Sequence, residues 1–231
     1  MTALSIVIPV LNEGSRIEAA LAALAPLRTR GAEVVVVDGG SGDDTCERAG
    51  AGADRVLSAP RGRASQMNAG AAAARGEALI FLHADTCLPA DADRLVARAL
   101  RARGAAWGRF DVRIAGRHPL LPVVAALMNL RSRLTGIATG DQAMFVRRET
   151  FARIGGFPDI ALMEDIALSR MLRRIARPVC LRERVTTSGR RWEERGVVRT
   201  IMLMWRLRLA FYFGAAPSDL ARRYGYVPRQ S

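Results

Sequence analysis

The sequence predicts an α/β domain with a mostly parallel central sheet, helices on both faces and an apolar C-terminal helix. Short runs of Val, Ile and Leu alternate with alanine-rich segments of helical length through the first hundred residues. Continuous apolar runs joined by helices are typical of parallel strands that are buried on both faces. Half of the 231 residues are hydrophobic, which is enough to build one sizeable core.

The first hundred residues supply the parallel part of the sheet. Strands are predicted at 4–10, 34–37, 55–59 and 79–82. Helices are predicted at 15–24, from about 43, at 64–74 and at 90–103. Asn12 or Ser15 is the expected N-cap of the first helix, and Gly76 closes the third. Ligands of such sheets bind beyond the carboxyl ends of the strands, and three of these ends carry polar side chains: Asn12 with Glu13, Asp38, and Asp85.

The pattern is less regular after residue 104. Strands are predicted at 106–114, 143–146 and 179–181, and helices at 118–134, 149–154, 162–175 and 197–213. We expect one domain over 1–190 and a helical tail over 191–231. The helix at 197–213 is apolar with interspersed arginines, so it is expected to pack on the domain, on a second copy in a homodimer, or on a membrane surface. A spanning helix is not expected, because no run of about 20 uncharged apolar residues exists.

The charge is concentrated in the second half of the chain. All 35 basic residues are arginine, and the net charge of +13 divides into −2 for residues 1–100 and +15 for residues 101–231. This excess favours an anionic partner such as a nucleoside diphosphate, a lipid phosphate or a membrane surface. Nucleic acid is not expected as a partner, because charge alone supports it and no aromatic platform accompanies the arginines.

The cysteines and the N-terminal residues indicate the expected cellular location of the protein. Cys46, Cys87 and Cys180 are far apart and lack metal-ligand spacing, so they are expected to be reduced thiols. The first ten residues lack the basic region and cleavage site of a signal peptide. The expected location is cytoplasmic, with a peripheral place at the inner face of the membrane as an alternative.

A glycine-rich stretch follows the second strand, in VVVVDGGSGDD at 34–44. It is not a dinucleotide fingerprint, since Thr45 stands where the third glycine belongs. Asp43 and Asp44 also place negative charge where a pyrophosphate would sit. Asp38 is instead expected to meet a base edge or a ribose; a capping role in the loop is the alternative.

Five segments, taken together, resemble the family-2 glycosyltransferases in order and spacing: SIVIPVLNE (5–13), VVVVDGGSGDDT (34–45), RGRASQMNAGAAAARGEALIFLHADT (61–86), GDQAMFVRRETFARIGGFP (140–158) and MED (163–165). The wording LHADT and GDQAMFVRR resembles, more narrowly, a bacterial subfamily encoded beside radical-SAM and selenium-related genes. The resemblance implies a GT-A fold, a nucleoside-diphosphate sugar donor and a divalent metal, Mn²⁺ or Mg²⁺. The acceptor is not identified, and a small molecule and a lipid both remain open.

The resemblance also implies roles for residues on the donor side. Those expected to surround the nucleotide sugar are Pro9, Asn12, Glu13, Asp38, Arg63, Gln66, Asn68, His83 and Arg191. Asp38 would accept a hydrogen bond from the base, which favours a uridine donor. Arg191 lies in SGRRWEERG (188–196), which is similar to an Arg-Trp element of processive members but lacks the glutamine two residues before the arginine.

Asp85 and His83 stand where the family carries its Asp-x-Asp signature. The resemblance makes Asp85 the metal ligand, because a departing nucleoside diphosphate develops negative charge that a divalent cation neutralises. His83 replaces the first aspartate of the signature. Its imidazole is expected to donate a hydrogen bond to ribose or phosphate, and metal ligation is the alternative.

The catalytic carboxylates implied by the resemblance are Glu164 and Asp165. Asp165 would deprotonate the acceptor hydroxyl as that hydroxyl attacks the anomeric carbon with inversion. Two adjacent carboxylates at a helix start also make a plain helix-dipole cap. Asp141 and Trp192 are weaker candidates for contact with the acceptor.

Two other functions compete with this prediction. A non-catalytic protein that binds a nucleotide sugar or an anionic lipid on the same fold is supported by the departure at His83. A sugar nucleotidyltransferase is the third possibility, but its glycine-rich, basic loop is missing after the first strand.

Overall fold

The structure is a computed structural model that describes residues 3–226. The strands of this described part are β1 Leu4–Val10, β2 Glu33–Asp38, β3 Arg55–Ser58, β4 Ala78–Phe81, β5 Thr86–Cys87, β6 Trp107–Ala115, β7 Phe145–Arg147 and β8 Val179–Ser188. Its helices are α1 Gly14–Thr29, α2 Thr45–Gly50, α3 Arg63–Ala73, α4 Ala92–Arg101, α5 Leu121–Thr135, α6 Arg148–Arg153, α7 Glu164–Arg173, α8 Arg190–Arg195, α9 Val197–Tyr212 and α10 Pro217–Tyr224. A 3₁₀ turn spans Gly140–Gln142.

All the strands join one sheet in the order β3-β2-β1-β4-β7-β6-β8-β5. β3, β2, β1 and β4 run parallel, and β6 is parallel to β8. β7 is antiparallel to β4 and β6, and β5 is antiparallel to β8. The carboxyl ends of β1, β2 and β4 therefore meet at one edge of the sheet, as in other open parallel sheets that bind ligands there.

Helices cover both faces of the sheet, because successive residues of a strand point in opposite directions. Ile6 and Ile8 of β1 enter a core that contains residues of α1, α4 and α5. Val7, between them, enters a second core with residues of α3, α6 and α7. At Gly70 of α3 a Cβ atom would lie 2.3 Å from Cγ1 of Val7, so the glycine lets α3 sit close to the sheet. The predicted mixed α/β fold with a mostly parallel sheet is confirmed.

The tail packs on the domain through a third, smaller core. Leu162, Met163 and Ile166 at the start of α7 pack there with Leu207 of α9 and Leu220 of α10. No helix of residues 3–226 is long and apolar enough to cross a membrane. The division at residue 190 stays a prediction, and residues 227–231 of the predicted tail lie outside the described residues.

The predicted cap of the first helix is wrong. Neither Asn12 nor Ser15 is the N-cap of α1: the cap is Glu13, and its side chain makes no capping hydrogen bond. The caps come instead from the loop after β2, where Asp43 accepts from the Gly14 N–H (3.1 Å) and Thr45 from the Glu13 N–H (2.8 Å). A cap supplied by another loop leaves no signal in the local sequence.

The C-terminal half differs most from the sequence prediction. β8 has ten residues, whereas the pattern predicted three, because most of its side chains are only partly buried and include several arginines. The two-residue β5 and the helices α8 and α10 were not predicted. They are short or polar, and contacts with neighbouring elements define them rather than hydrophobic periodicity.

Candidate active site

A cavity of about 830 Å³ lies beyond the carboxyl ends of β1 and β4. Predicted site residues that line it are Pro9, Glu13, Arg63, Gln66, His83, Asp85, Asp141, Glu164, Asp165, Arg191 and Trp192. They come from the strand ends, from α3, from the 3₁₀ turn and from the starts of α7 and α8. The sheet edge thus gathers residues from Pro9 to Trp192, which are far apart in the chain.

Three predicted residues, Asn12, Asp38 and Asn68, do not line the cavity. Asn12 accepts a hydrogen bond from the Gly42 N–H (2.9 Å), and its own N–H donates to Ser41 Oγ (2.9 Å). Asn12 therefore joins the loop after β1 to the loop after β2, with its backbone in the left-handed region at φ 54°.

Asp38 is buried at the end of β2 and turned toward its own loop. Its carboxylate accepts hydrogen bonds from the Gly40 N–H (2.8 Å), the Ser41 N–H (3.0 Å) and the Ser41 hydroxyl (2.5 Å). Burial opposes its charge, but these bonds outweigh burial and hold the pKa of Asp38 below its usual range. The loop thus keeps an ionised acceptor at the sheet edge, while contact with a base stays a prediction.

Gln66 and Asn68 of α3 use their side-chain amides to hold the backbone. Gln66 Nε2 donates to the carbonyls of Val10 and Val37, each at 2.8 Å, and so ties the ends of β1 and β2 together. Asn68 donates to the Phe157 carbonyl (2.8 Å) and accepts from the Phe157 N–H (2.9 Å), which fixes the turn before α7. For Asn68 these bonds account for both polar atoms of the amide.

His83 connects β4 to the 3₁₀ turn. Its Nδ1 lies 3.5 Å from Asp141 Oδ1. Burial opposes ionisation of Asp141, but the hydrogen bond and charge of His83, followed by Arg63 and Arg208, lower its pKa. A Cβ atom on Gly140 would lie 2.5 Å from the His83 ring, so this position requires glycine. The His83 ring therefore packs closely against the 3₁₀ turn that contacts Asp165, two residues before the candidate metal ligand Asp85.

The two catalytic candidates lie at the start of α7. Asp165 Oδ2 accepts from the Gly140 N–H (3.0 Å) and Oδ1 accepts from the Ile166 N–H (2.7 Å), so its carboxylate has a fixed orientation. Glu164 is buried. Burial, and then the charge of Asp165, raise the pKa of Glu164 above its usual range. A carboxyl group with a raised pKa in a cavity is common where acid–base chemistry takes place.

Tyrosines of the tail complete one side of the cavity. The Arg191 guanidinium lies 4.3 Å from the centre of the Tyr224 ring, and Arg63 lies 5.3 Å from that of Tyr226. Burial works against the charge of Arg63, but Tyr226, Glu164 and Tyr224 raise its pKa above the usual range. Arg63 and Arg191, predicted to grip the donor, are thus both held by the end of α10. Sequence reasoning missed both tyrosines, which no motif marks.

Four further arginines line the cavity without being among the predicted site residues: Arg61, Arg131 of α5, Arg190 of α8 and Arg208 of α9. Arg131 and Arg208 form no ion pair and no side-chain hydrogen bond within residues 3–226, and Nε and Nη2 of Arg131 are buried without a partner there. The signal in the sequence was an arginine within each of two apolar helical segments. These arginines could be recognised as site residues only once the structure showed that both helices face the same cavity.

Asp85 is the only predicted metal ligand, and its exposed carboxylate faces the cavity. Within the described part of the chain no three His, Cys, Asp or Glu side chains are grouped to hold a metal ion. Mg²⁺ is usually held by one or two carboxylates together with substrate phosphates, not by a cage of protein ligands. A single carboxylate near the arginines fits a metal that arrives with a diphosphate.

The sequence comparison identifies the family. Residues 5–154 match the model for glycosyl transferase family 2. The chain belongs to glycosyl transferase family 2. The match covers the predicted donor-side residues from Pro9 to His83 and ends before Glu164, Asp165 and Arg191. None of the curated proteins matches the chain at a significant level.

Solved structures of glycosyltransferases share the fold. The mannosyltransferase PcManGT from Pyrobaculum calidifontis, in complex with GDP-Man and Mn²⁺, has 21% identity and a TM-score of 0.68 over 97% of this chain and 69% of its own. Glucosyl-3-phosphoglycerate synthase from Mycobacterium tuberculosis, with Mn²⁺, UDP and its product, has 23% identity and a TM-score of 0.66 over 98% of this chain and 81% of its own. TarS 1–349 of S. aureus with UDP has 18% identity and a TM-score of 0.65 over 80% of this chain.

These likenesses confirm the predicted GT-A fold. The chain spans 65% of the length of a mycobacterial protein that it resembles and 60% of TarS 1–349. The narrower resemblance to the subfamily encoded beside radical-SAM genes stays a prediction.

Proposed function

We propose that this protein transfers a glycosyl group from a nucleoside-diphosphate sugar to an acceptor hydroxyl, with inversion at the anomeric carbon and with a divalent metal. The observation that carries the proposal is that one cavity joins Asp85, at the end of β4, to the oriented carboxylate of Asp165 at the start of α7. A donor-side anion site and a base on the acceptor side are the two parts that such a transfer needs.

In the proposed reaction the acceptor oxygen forms a bond to the anomeric carbon as the bond from that carbon to the diphosphate oxygen breaks. The leaving nucleoside diphosphate keeps the bonding electrons, and the hydroxyl proton passes to Asp165. Arg63 and Arg191 bind the diphosphate and stabilise its developing charge. A divalent ion held by Asp85 would supply further charge neutralisation on the same oxygens.

Glu164 and Asp141 support Asp165 in this proposal. The raised pKa of Glu164, about 7, keeps it partly protonated near neutral pH, which reduces the negative charge beside Asp165. The 3₁₀ turn carries Asp141 toward His83 and gives its Gly140 N–H to Asp165. Donor-side and acceptor-side groups are thus joined through one short turn.

The uridine donor in this proposal rests on the family resemblance, in which Asp38 accepts from the base; the carboxylate itself bonds to its own loop and does not line the cavity. Similar proteins are known in complex with GDP-Man and Mn²⁺, with UDP and Mg²⁺, and with UDP-GlcNAc. The sugar itself is left open.

A thermal-shift screen tests the donor half of the proposal. UDP, GDP and ADP are added to the full chain with and without Mn²⁺, and we expect a Mn²⁺-dependent rise in melting temperature that is largest for UDP. Asp85→Asn should abolish the metal-dependent part. Asp159→Asn, an exposed carboxylate outside the cavity, serves as the control and should retain it. Equal shifts for all three nucleotides would contradict the role of Asp38, and no shift would contradict the donor class.

A further inference from the structure

An open apolar groove leads into the cavity between α5 and α9. Its walls are Leu127, Leu130 and Leu134 of α5 and Ile201, Met204 and Trp205 of α9, which together we call the α5–α9 groove. Leu134 is 74% exposed and Trp205 is 72% exposed, so the groove is open to solvent at its outer end. Each helix packs elsewhere, α5 on β6 and α9 on α8 and α10. Exposed apolar surface of this extent and shape marks a binding site.

Arg131 and Arg208 lie where the groove meets the cavity. Burial, and then the charge of Arg208, lower the pKa of Arg131 to about 10, and burial lowers the pKa of Arg208. Arginine side chains carry their charge at neutral pH in proteins. Arg109, the next guanidinium, bonds to Ser132, Asp111 and the Asn129 carbonyl. No carboxylate of residues 3–226 pairs with Arg131 or Arg208. Nε and Nη2 of Arg131 are buried without a partner in the same part of the chain. Buried polar atoms without a partner are costly, and such atoms normally have a ligand.

We propose that the α5–α9 groove binds the acceptor, and that the acceptor is an anionic amphiphile whose hydrocarbon chain lies between α5 and α9 and whose acidic group binds Arg131 and Arg208. This inference rests on the proposed function, because it makes the occupant the glycosyl acceptor. The hydroxyl that receives the sugar is then next to the acidic group, close to Asp165.

The groove accounts for both the hydrocarbon chain and the acidic group of the proposed ligand. A neutral chain would leave the Arg131 nitrogen atoms without partners, and a small inorganic anion would leave the apolar walls in water. A second copy of this chain would bring another apolar and basic surface to a site that already carries two arginines. An amphiphile with one chain and one acidic group satisfies the walls and the arginines together.

The position of Asp165 supports a headgroup at this depth. Asp165 lines the same cavity as Arg131 and Arg208, and its charge raises the pKa of both arginines against the larger effect of burial. An acidic group held by the arginines therefore places adjoining atoms near the base. Arg63 and Arg191 face the diphosphate side of the same cavity.

Binding of dodecyl phosphate to the full chain tests the inference. Calorimetry below its micelle concentration measures affinity, and the fluorescence of the exposed Trp205 reports occupation of the groove. Dodecyl maltoside and inorganic phosphate are the neutral and chain-free comparisons. Arg131→Gln and Arg208→Gln remove the charges, and Arg206→Gln is the matched control, an exposed arginine on the same helix that does not line the cavity.

We expect dodecyl phosphate to bind at least tenfold more tightly than either comparison and to shift the Trp205 emission to shorter wavelength. Arg131→Gln and Arg208→Gln should each weaken it about tenfold, and Arg206→Gln should not. UDP binding with Mn²⁺ should stay within twofold of wild type in all three variants. If UDP does not bind but dodecyl phosphate binds as expected, the groove is an amphiphile site and the proposed function fails.

Four results would overturn the inference. Equal binding of dodecyl maltoside would make the groove a general apolar surface, and equal binding of inorganic phosphate would make it a simple anion site. Binding only to vesicles of phosphatidylcholine with phosphatidylglycerol, and not to dodecyl phosphate, would make it a membrane-contact surface. A dimer in light scattering that Trp205→Asp dissociates, without binding of dodecyl phosphate, would make a second copy the occupant.

Discussion

The two sides of the cavity differ in how fully their polar groups are satisfied. On the donor side, Asp38, Gln66 and Asn68 all hydrogen-bond to the protein's own backbone, and the caps of α1 come from the neighbouring loop. On the side of α5 and α9, Arg131 has buried nitrogen atoms without partners, and several large apolar side chains are exposed. The polar groups of the donor side are therefore preorganised by hydrogen bonds within the protein. On the side of α5 and α9, polar and apolar groups are left for a ligand to contact.

This contrast indicates a division of labour. Asp38, Gln66 and Asn68 lie within the segment that matches the family model, residues 5–154, and so does Arg131 of α5. Asp165 and α9 lie beyond it. The four predictions below test this comparison.

The largest effect is expected where the two sides meet, at Asp165. Asp165→Asn should lower turnover by about 10²- to 10⁴-fold, the usual range for loss of a general base, because the amide cannot accept the acceptor's proton. An asparagine oxygen can still accept from the Gly140 N–H, so UDP binding with Mn²⁺ should persist. Initial rates with a transferable donor, and calorimetry with UDP, are the measurements.

The control for this substitution is Asp159→Asn, which changes an exposed carboxylate outside the cavity and should keep full turnover. A variant at Asp165 that transfers sugar at the wild-type rate would show that the base lies elsewhere. Wild-type protein that binds UDP yet transfers no sugar to any acceptor would favour a binding protein on this fold.

Because Gln66 hydrogen-bonds to two backbone carbonyls on the donor side, we expect Gln66→Ala to cause a large loss of stability. The carbonyls of Val10 and Val37 would lose their Nε2 donor in a buried place, at about 1–3 kcal/mol for each group left unsatisfied. The free energy of unfolding should therefore fall by about 2–5 kcal/mol in urea titration. Ser65→Ala, which removes a partly exposed hydroxyl from the next residue, should cost less than about 1 kcal/mol. Equal losses of stability in the two variants would contradict the proposed role of the two hydrogen bonds from Gln66 Nε2.

Glu164 predicts a pH dependence of stability that Glu164→Gln should remove. Its pKa is raised in the folded protein, so its contribution is fully present below the ordinary glutamate pKa of about 4.3 and is lost as pH rises through the raised value. Glu164→Gln should therefore gain stability relative to wild type as pH rises above about 4.5, by about 1.4 kcal/mol for each tenfold difference in proton affinity. Urea unfolding from pH 4 to pH 8 measures this, and a difference that falls with pH would contradict it.

The smallest effect, which is also a gain in stability, is expected at Arg131. Arg131→Met removes a buried charge without a partner and keeps an unbranched chain in its place, so the free energy of unfolding should rise by about 1 kcal/mol. Arg206→Met, at an exposed position, should change it by less than about 0.5 kcal/mol. Destabilisation by Arg131→Met would show that the arginine serves the fold.

The sequence was sufficient for the parallel half of the fold. Apolar runs and alanine-rich helices depend on local periodicity, so β1, β2, β4 and α3 were predicted close to their observed bounds, whereas α1 continues to Thr29, five residues beyond its predicted end. The GT-A fold followed from several short motifs in a fixed order. The cap of α1 and the length of β8 were not predictable, since both depend on partners distant in the chain.

By itself the sequence determined the fold class, the family and most of the residues that line the cavity, because strand ends of a parallel sheet converge whatever the details of packing. Only the tertiary structure turned Asn12, Asp38 and Asn68 toward the backbone, and only it brought Arg131, Arg208 and the tyrosines of α10 to the same cavity. The reason is physical: periodicity determines which face of an element is apolar, but the partner of a polar side chain depends on which distant segment the folded chain brings beside it.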